Sequence, residues 1–301
     1  MHPAVNIALD KRRKVFTIVI VNQTFIAFKE IKMNNAISSL PLFKDYKKSV
    51  KILAIGNSFS DDAMEHLAVI LKGAGVENIS LGNLYIGGCS LETHYNNIQS
   101  GEDAYEYRVN TGEGWTTTKR SIDYGILYDD WDVITVQQVS SHSGLPESFT
   151  HLEPVIAHVK KIAKNPDVKI LWHMTWAYQG DSQHPGFAAY NCEQKKMYES
   201  ILSGVKTRIN KNSDIVGVIP SGVAIQKLRE SYLGDNVTRD GFHLSLGIGR
   251  YTAALTWFKR LTGADISDID AIPEAFPEVK EHIAVIKEAV NYAIENNPEK
   301  A

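Results

Sequence analysis

Five short strand candidates, each separated from the next by a stretch of different periodicity, limit this chain's fold more than any other feature. Lys51–Ile55 is the first, followed by Asn78–Tyr85, Asp132–Gln137, Val168–His173 and Ile215–Ile219. Apolar runs of this length, bounded by turn residues, read as buried strands. Asp61–Gly73, Leu152–Ala163 and Ala189–Ile209 lie between them with helical spacing; in the first, Leu67, Ile70 and Leu71 share one side. Val223–Ser231, Gly249–Leu261 and an amphipathic tail from Pro277 to Asn297 continue the helical series. Alternation of strand and helix favours parallel pairing with helices on both faces of the sheet. The expected fold class is therefore α/β: a three-layer α/β/α sandwich around a mostly parallel, five-stranded sheet in flavodoxin-like order. Residues 50–301 make one domain on this reading, closed by the C-terminal helix.

Residues 95–130 break the rhythm with Tyr105, Tyr107, Trp115, threonines at 116–118, and Tyr124. They read either as a hairpin packed on the sheet edge or as an aromatic wall beside a ligand site. Residues 1–49 differ again, since the first 50 positions hold nine Lys/Arg against three Asp/Glu. Lys11-Arg12-Arg13-Lys14 precedes a mostly apolar stretch from Val15 to Phe28, the order of an export signal. No small-x-small cleavage site follows, and the apolar part is too short for a stable membrane span. This segment is expected to be an extension of the domain or an atypical export leader. It leans towards a periplasmic or secreted location and leaves the cytoplasm open.

The formal charge, 32 − 35 = −3, offers no electrostatic footprint for nucleic acid. Cys89 and Cys192 read as separate buried side chains rather than a bridge. His94, His142, His173 and His184 lack ligand spacing, so neither a metal nor another cofactor is expected. Oligomeric state is not legible.

The chemistry concentrates in two segments. Ser58 follows the first apolar run directly, at the carboxyl end of a strand, where open α/β sheets place their ligands. Asp240-Gly241-Phe242-His243 lies near the end of the domain. A serine hydroxyl needs a base to become a nucleophile, and that base needs a carboxylate to fix its tautomer. Asp-x-x-His alone is a weak signal, and the serines near Asp61 could simply cap a helix; Ser60 and Asp62, with Glu65, suit that capping role better than Ser58. Backbone N–H groups at the helix start, Ser58's included, face the place where charge develops on a carbonyl oxygen. Gly88, or its neighbour Gly87, supplies a second candidate N–H, and the amide of Gln138, or of Gln137, a third. His142, His173 and Trp176 follow strand ends on the same rim and are candidate substrate contacts.

In this order, the blocks resemble the SGNH (GDSL-like) hydrolase superfamily. Gly56-Asn57-Ser58 matches its first block, Gly88 the second, Gln138 the asparagine of the third, and Asp240 through His243 the fourth. More narrowly, Ile55–Ser60, Gly87–Leu91, Gln137-Gln138 and Asp240–Ser245 resemble its DUF4886-type bacterial branch. There are two departures: Asn57 stands where an aspartate is usual, and glutamine lengthens the third block's arm by one methylene. The resemblance implies a metal-free serine esterase with Ser58, His243 and Asp240 as triad and Ser58, Gly88 and Gln138 around the oxyanion. The implied partner is a small-molecule or saccharide ester, with an acyl or acetyl group on a carbohydrate. The competing expectation is a catalytically weak carbohydrate binder of the same fold, using Trp176, Tyr178 and the 105–124 aromatics as its platform.

Overall fold

The first apolar run is a central strand because both of its faces are covered. In the computed structural model, which describes residues 42–299, Val50 and Ile52–Gly56 of β1 (Ser49–Gly56) are buried. A short pair of helices follows, α1 (Ser58–Met64) and α2 (Leu67–Gly73), and then β2 (Asn78–Tyr85), parallel to β1. Next come α3 (Leu91–Ser100), β3 (Tyr105–Asn110), β4 (Trp115–Arg120) and α4 (Ile122–Tyr128). The chain continues through β5 (Val133–Val136), α5 (Leu152–Ile162), β6 (Lys169–His173), α6 (Gln194–Thr207) and β7 (Ile215–Ile219). Three helices close it: α7 (Ser221–Arg229), α8 (Ile248–Thr262) and α9 (Ile283–Glu295).

The sheet order is β4-β3-β2-β1-β5-β6-β7, with every pair from β2 to β7 parallel. Those five strands are the five read from sequence, in the flavodoxin-like order expected. One helical layer joins α1, α2, α7, α8 and α9, and α3, α4 and α5 pack against one another in the other. The core fills with the strand interiors Leu53, Ile134 and Leu171 and with the large side chains Trp131, Trp257 and Phe258.

The strand count is corrected from five to seven. Residues 105–120 form an antiparallel hairpin that extends the sheet beyond β2. Its outer strand carries Thr116, Thr117, Thr118 and Lys119, all exposed, so the apolar signal that marks a buried strand is missing. The aromatic-wall reading of this segment is corrected as well. Tyr105 and Tyr107 are fully buried, and Trp115 lies at the hairpin end opposite the one that pairs with Tyr85.

Two helices also differ from their predicted bounds. The helix expected from Asp61 begins at Ser58 and breaks at Glu65-His66. That expected from Ala189 begins at Gln194, because Pro185–Tyr190 turns as a 3-10 segment. Cys89 is buried and Cys192 exposed, both free, so only the first fits the buried reading. The reading of residues 1–49 as extension or leader falls largely outside the described residues. Among the described residues no helix is long and apolar enough to cross a membrane.

The outer side of β7 is met by side chains rather than by another strand. Glu299 accepts from the Val218 N–H at 2.8 Å, and Arg260 Nε and Asn297 Nδ2 donate to the Val218 carbonyl at 2.9 and 3.0 Å.

Candidate active site

The turn from β1 into α1 is built on Asn57. Its Oδ1 accepts from the Phe59 N–H at 3.0 Å, capping the helix that opens with Ser58, and its Nδ2 donates to the Cys89 carbonyl at 3.0 Å. A carboxylate could make the first bond but not the second, which gives the departure from aspartate a physical basis. Asn57 is buried, and behind it runs a chain of neutral groups. Gln137 Nε2 donates to Asn57 Oδ1 at 2.8 Å, His173 Nδ1 meets Gln137 Oε1 at 2.8 Å, and His173 Nε2 meets the Ser221 hydroxyl at 3.1 Å. The capping role read for Ser60 and Asp62 therefore belongs to Asn57. The Ser60 hydroxyl instead donates to the Asn57 carbonyl.

The second segment is a tight loop held by an isolated bridge between Thr238 and Leu244. Asp240 Oδ1 accepts from the Phe242 and His243 N–H groups at 3.1 and 2.7 Å, folding the turn back on its own side chain. Gly241 sits at φ +88°, a conformation open chiefly to glycine, and its carbonyl accepts from the Gln179 N–H. Asp240 Oδ2 then lies 2.6 Å from His243 Nδ1, and His243 Nε2 lies 2.7 Å from Ser58 Oγ. An ionised carboxylate only accepts, so Nδ1 carries the ring proton and the Nε2 lone pair faces the hydroxyl. Burial alone would raise the Asp240 pKa. The bonds from the His243 ring and from the His243 and Phe242 N–H groups outweigh it and hold the carboxyl below its ordinary value.

Ser58 is half-buried, and the loop after β2 is tied beside it through the Asn57–Cys89 bond and the Ile86 N–H to Gly56 carbonyl bond at 3.5 Å. Gly88 in that loop is exposed at φ +64°. The N–H groups of Ser58 and Gly88 have no hydrogen-bond partner among the described residues.

Five of the remaining sequence candidates have other placements. Gln138 cannot donate to an oxyanion: its Nε2 is taken by the Ser148 carbonyl and hydroxyl at 2.9 and 3.1 Å, and its Oε1 accepts from the Leu91 and Val139 N–H groups. Gln137 is equally committed, to Asn57 and His173. His173 is fully buried in the chain behind Asn57, so it supports the Ser58 turn and is out of reach of a ligand. Trp176 is also fully buried; it stacks on Phe59 with centroids 4.3 Å apart and donates Nε1–H to the Phe242 carbonyl at 2.8 Å, bracing the histidine loop from below. Tyr178 is buried too, which removes two rings from the proposed binding platform. His142 is the exception. It is exposed on the turn that follows β5.

Sequence reasoning missed two contributors. His184, considered only as a metal candidate, packs against Phe242 at 4.8 Å, and Phe242 packs against His243 at 4.1 Å. Asp62, read as a cap, is fully buried and bonds to residues on either side of the Asp240–His243 turn. No local signal distinguishes such an aspartate from a capping one.

Cys89 is a poor nucleophile, because burial pushes its thiol up to about 12 and keeps it protonated. Burial also pushes the rings of His94 and His173 down to about 3 from the ordinary 6.5. Below pH 6.5 the unfolded chain takes up a proton on each ring that the folded chain refuses until about pH 3. The unfolded state binds more protons throughout that window, so folding stability falls as pH is lowered through it. Thermal unfolding followed by circular dichroism should show a Tm that drops between pH 7 and pH 4; a flat Tm across that range contradicts this account.

Residues 51–292 match the family described as "Domain of unknown function (DUF4886)". The chain belongs to that family. A solved DUF4886 family protein from Bacteroides uniformis is 39% identical, with a TM-score of 0.78, over 84% of this chain and 97% of that one. Two more distant structures are similar over much of this DUF4886 chain. One is a putative SGNH hydrolase from Slackia heliotrinireducens, at 18% identity and TM-score 0.44 over 72% of this chain and all 100% of that one. The other is an acetylxylan esterase from Geobacillus stearothermophilus, at 13% identity and TM-score 0.47 over 73% of this chain and 98% of that one. No curated protein matches the chain.

Proposed function

We propose that this DUF4886 protein is a serine hydrolase of carboxylic esters, working through Ser58, His243 and Asp240. One observation carries the reading: a serine hydroxyl, an imidazole and a carboxylate from segments some 180 residues apart stand in line at 2.7 and 2.6 Å. Ser58 Oγ attacks the ester carbonyl carbon while its proton passes to His243 Nε2. The carbonyl oxygen becomes an alkoxide that accepts from the Ser58 and Gly88 N–H groups. With Gln138 committed elsewhere, this oxyanion site has two backbone donors rather than three. One such donor is worth about 3 kcal/mol in the transition state. As the intermediate collapses, the C–O bond to the leaving alcohol breaks and the alcohol takes the proton from Nε2, leaving an acyl-serine. Water repeats the sequence: its proton goes to His243, its oxygen joins the acyl carbon, and Ser58 recovers its proton as the carboxylic acid departs.

The substrate class that fits this reading is a short acyl ester, with acetyl on a saccharide hydroxyl as the first to test. His142, exposed on the turn after β5, is its candidate polar contact. The carbohydrate-binding alternative loses its support with the burial of Trp176 and Tyr178. Incubation with a fluorophosphonate followed by peptide mass mapping should place one covalent adduct, on Ser58, and the untreated protein should hydrolyse p-nitrophenyl acetate and acetylated sugars. Absence of both the adduct and turnover would overturn the proposal.

A further inference from the structure

Asp62 lies one turn beyond Ser58 on α1 and is completely buried, with each of its oxygens bonded. Oδ1 accepts from Arg239 Nη1 at 2.9 Å and from Arg250 Nε at 2.8 Å. Oδ2 accepts from the Leu244 N–H at 2.8 Å and from Arg239 Nη1 at 3.2 Å. Arg239 immediately precedes Asp240, and Leu244 immediately follows His243. A single carboxylate on the nucleophile's own helix therefore holds both ends of the turn that carries the base and its orienting acid. Arg239 Nη1 also donates to the Leu244 carbonyl at 2.5 Å, closing the ends of the turn on each other.

We infer that Asp62 is a positioning residue for the hydrolase reaction, setting the distance between Ser58 Oγ and His243 Nε2 through Arg239 and Leu244. This rests on the hydrolase reading above. A buried carboxylate is costly unless its lone pairs are satisfied. Here the satisfying donors come from the two residues whose movement would displace the imidazole and from Arg250 at the start of α8. Arg250 extends the cluster to Glu65, 3.8 Å away on the same side, and Glu65 reaches Arg108 of β3 at 3.7 Å. Arg108 also pairs with Asp61. The turn is thus referenced to α1, α8 and the sheet together, although Asp240 itself is at the surface. Loops ordinarily place catalytic groups less accurately than helices do, and this carboxylate transfers the helix's precision to the loop.

The test is Asp62→Asn, which keeps the shape and removes the charge. An asparagine turns one of the two oxygens into a donor that faces either the Leu244 N–H or a guanidinium, so one attachment of the turn is lost. Misplacement by about 1 Å costs on the order of a hundredfold in rate. The expected result is a folded variant, by circular dichroism, whose second-order rate of fluorophosphonate labelling at Ser58 falls about a hundredfold. Its kcat should fall in parallel with little change in KM. A purely structural Asp62 would lower Tm yet leave the folded variant labelling at the wild-type rate, and that result overturns the inference. Should the asparagine variant fail to fold, Arg239→Gln takes its place: Asp62 keeps Arg250 and Leu244, and slowed labelling by the folded variant again supports positioning, while an unchanged rate overturns it. Failure of the underlying hydrolase reading has a different signature, because the wild-type protein itself would then stay unlabelled.

Discussion

Ser58→Ala is expected to lose fluorophosphonate labelling entirely and to lower kcat for acetyl esters by about a millionfold. The alanine removes one oxygen and leaves the remaining machinery in place. Asn57 still caps α1, and the Ser58 N–H survives as a main-chain group. Substrate binding should therefore persist, with KM near the wild-type value, while the covalent step disappears. Backbone donors alone retain a rate above that in water, so a small residual turnover is expected, without a burst of released alcohol. Pre-steady-state kinetics with p-nitrophenyl acetate separates the cases. Turnover in the alanine variant within tenfold of wild type would remove Ser58 from the mechanism.

Asp240→Asn should cost about ten-thousand-fold in kcat. Asp240 Oδ1 accepts two backbone N–H groups, and Oδ2 accepts from His243 Nδ1. An asparagine cannot satisfy both sides. If its oxygen stays with the backbone, its amide N–H points at Nδ1 and forces the proton to Nε2, which then faces Ser58 as a donor instead of a base. If it flips, two backbone donors meet a third, and the turn that carries His243 loosens. Because the wild-type carboxyl is held below its ordinary value, it stays ionised as pH falls through the weakly acidic range. The acid limb of the wild-type rate profile is then not set by Asp240. Nitrogen NMR of the ring tautomer, set beside kcat for the variant, tests this directly; an asparagine variant with near-normal kcat would show that the carboxylate is dispensable.

The elements legible in the sequence were those whose signal is local. The parallel strands carry a local apolar signal in stretches such as Ile52–Ile55 and Ile215–Ile219, so five strands and their mostly parallel pairing could be read. Ser58, Asp240 and His243 stood out because each sits beside a strand end or within a four-residue turn. Residues whose role depends on which way one side chain points were not legible. Gln137 and Gln138 are adjacent and chemically identical, yet one supports Asn57 and the other fastens Leu91 and Ser148. Trp176 follows a strand end as a rim residue would, but it stacks beneath Phe59. The hairpin escaped because Thr116–Lys119 carry no apolar face. Asp62 escaped because its partners lie some 180 residues away.

The two borders of the sheet face solvent on unequal terms. Along β4 the row of threonines gives an incoming strand main-chain bonds but little to bury, and Lys119 adds charge, a combination that discourages stacking of sheets edge to edge. Along β7 the task falls to Asn297 and Glu299, which act on Val218 as a surrogate neighbour. Trimming the chain behind α9 would leave Arg260 on the Val218 carbonyl but bare the Val218 N–H, turning a closed margin into one that another polypeptide could dock on.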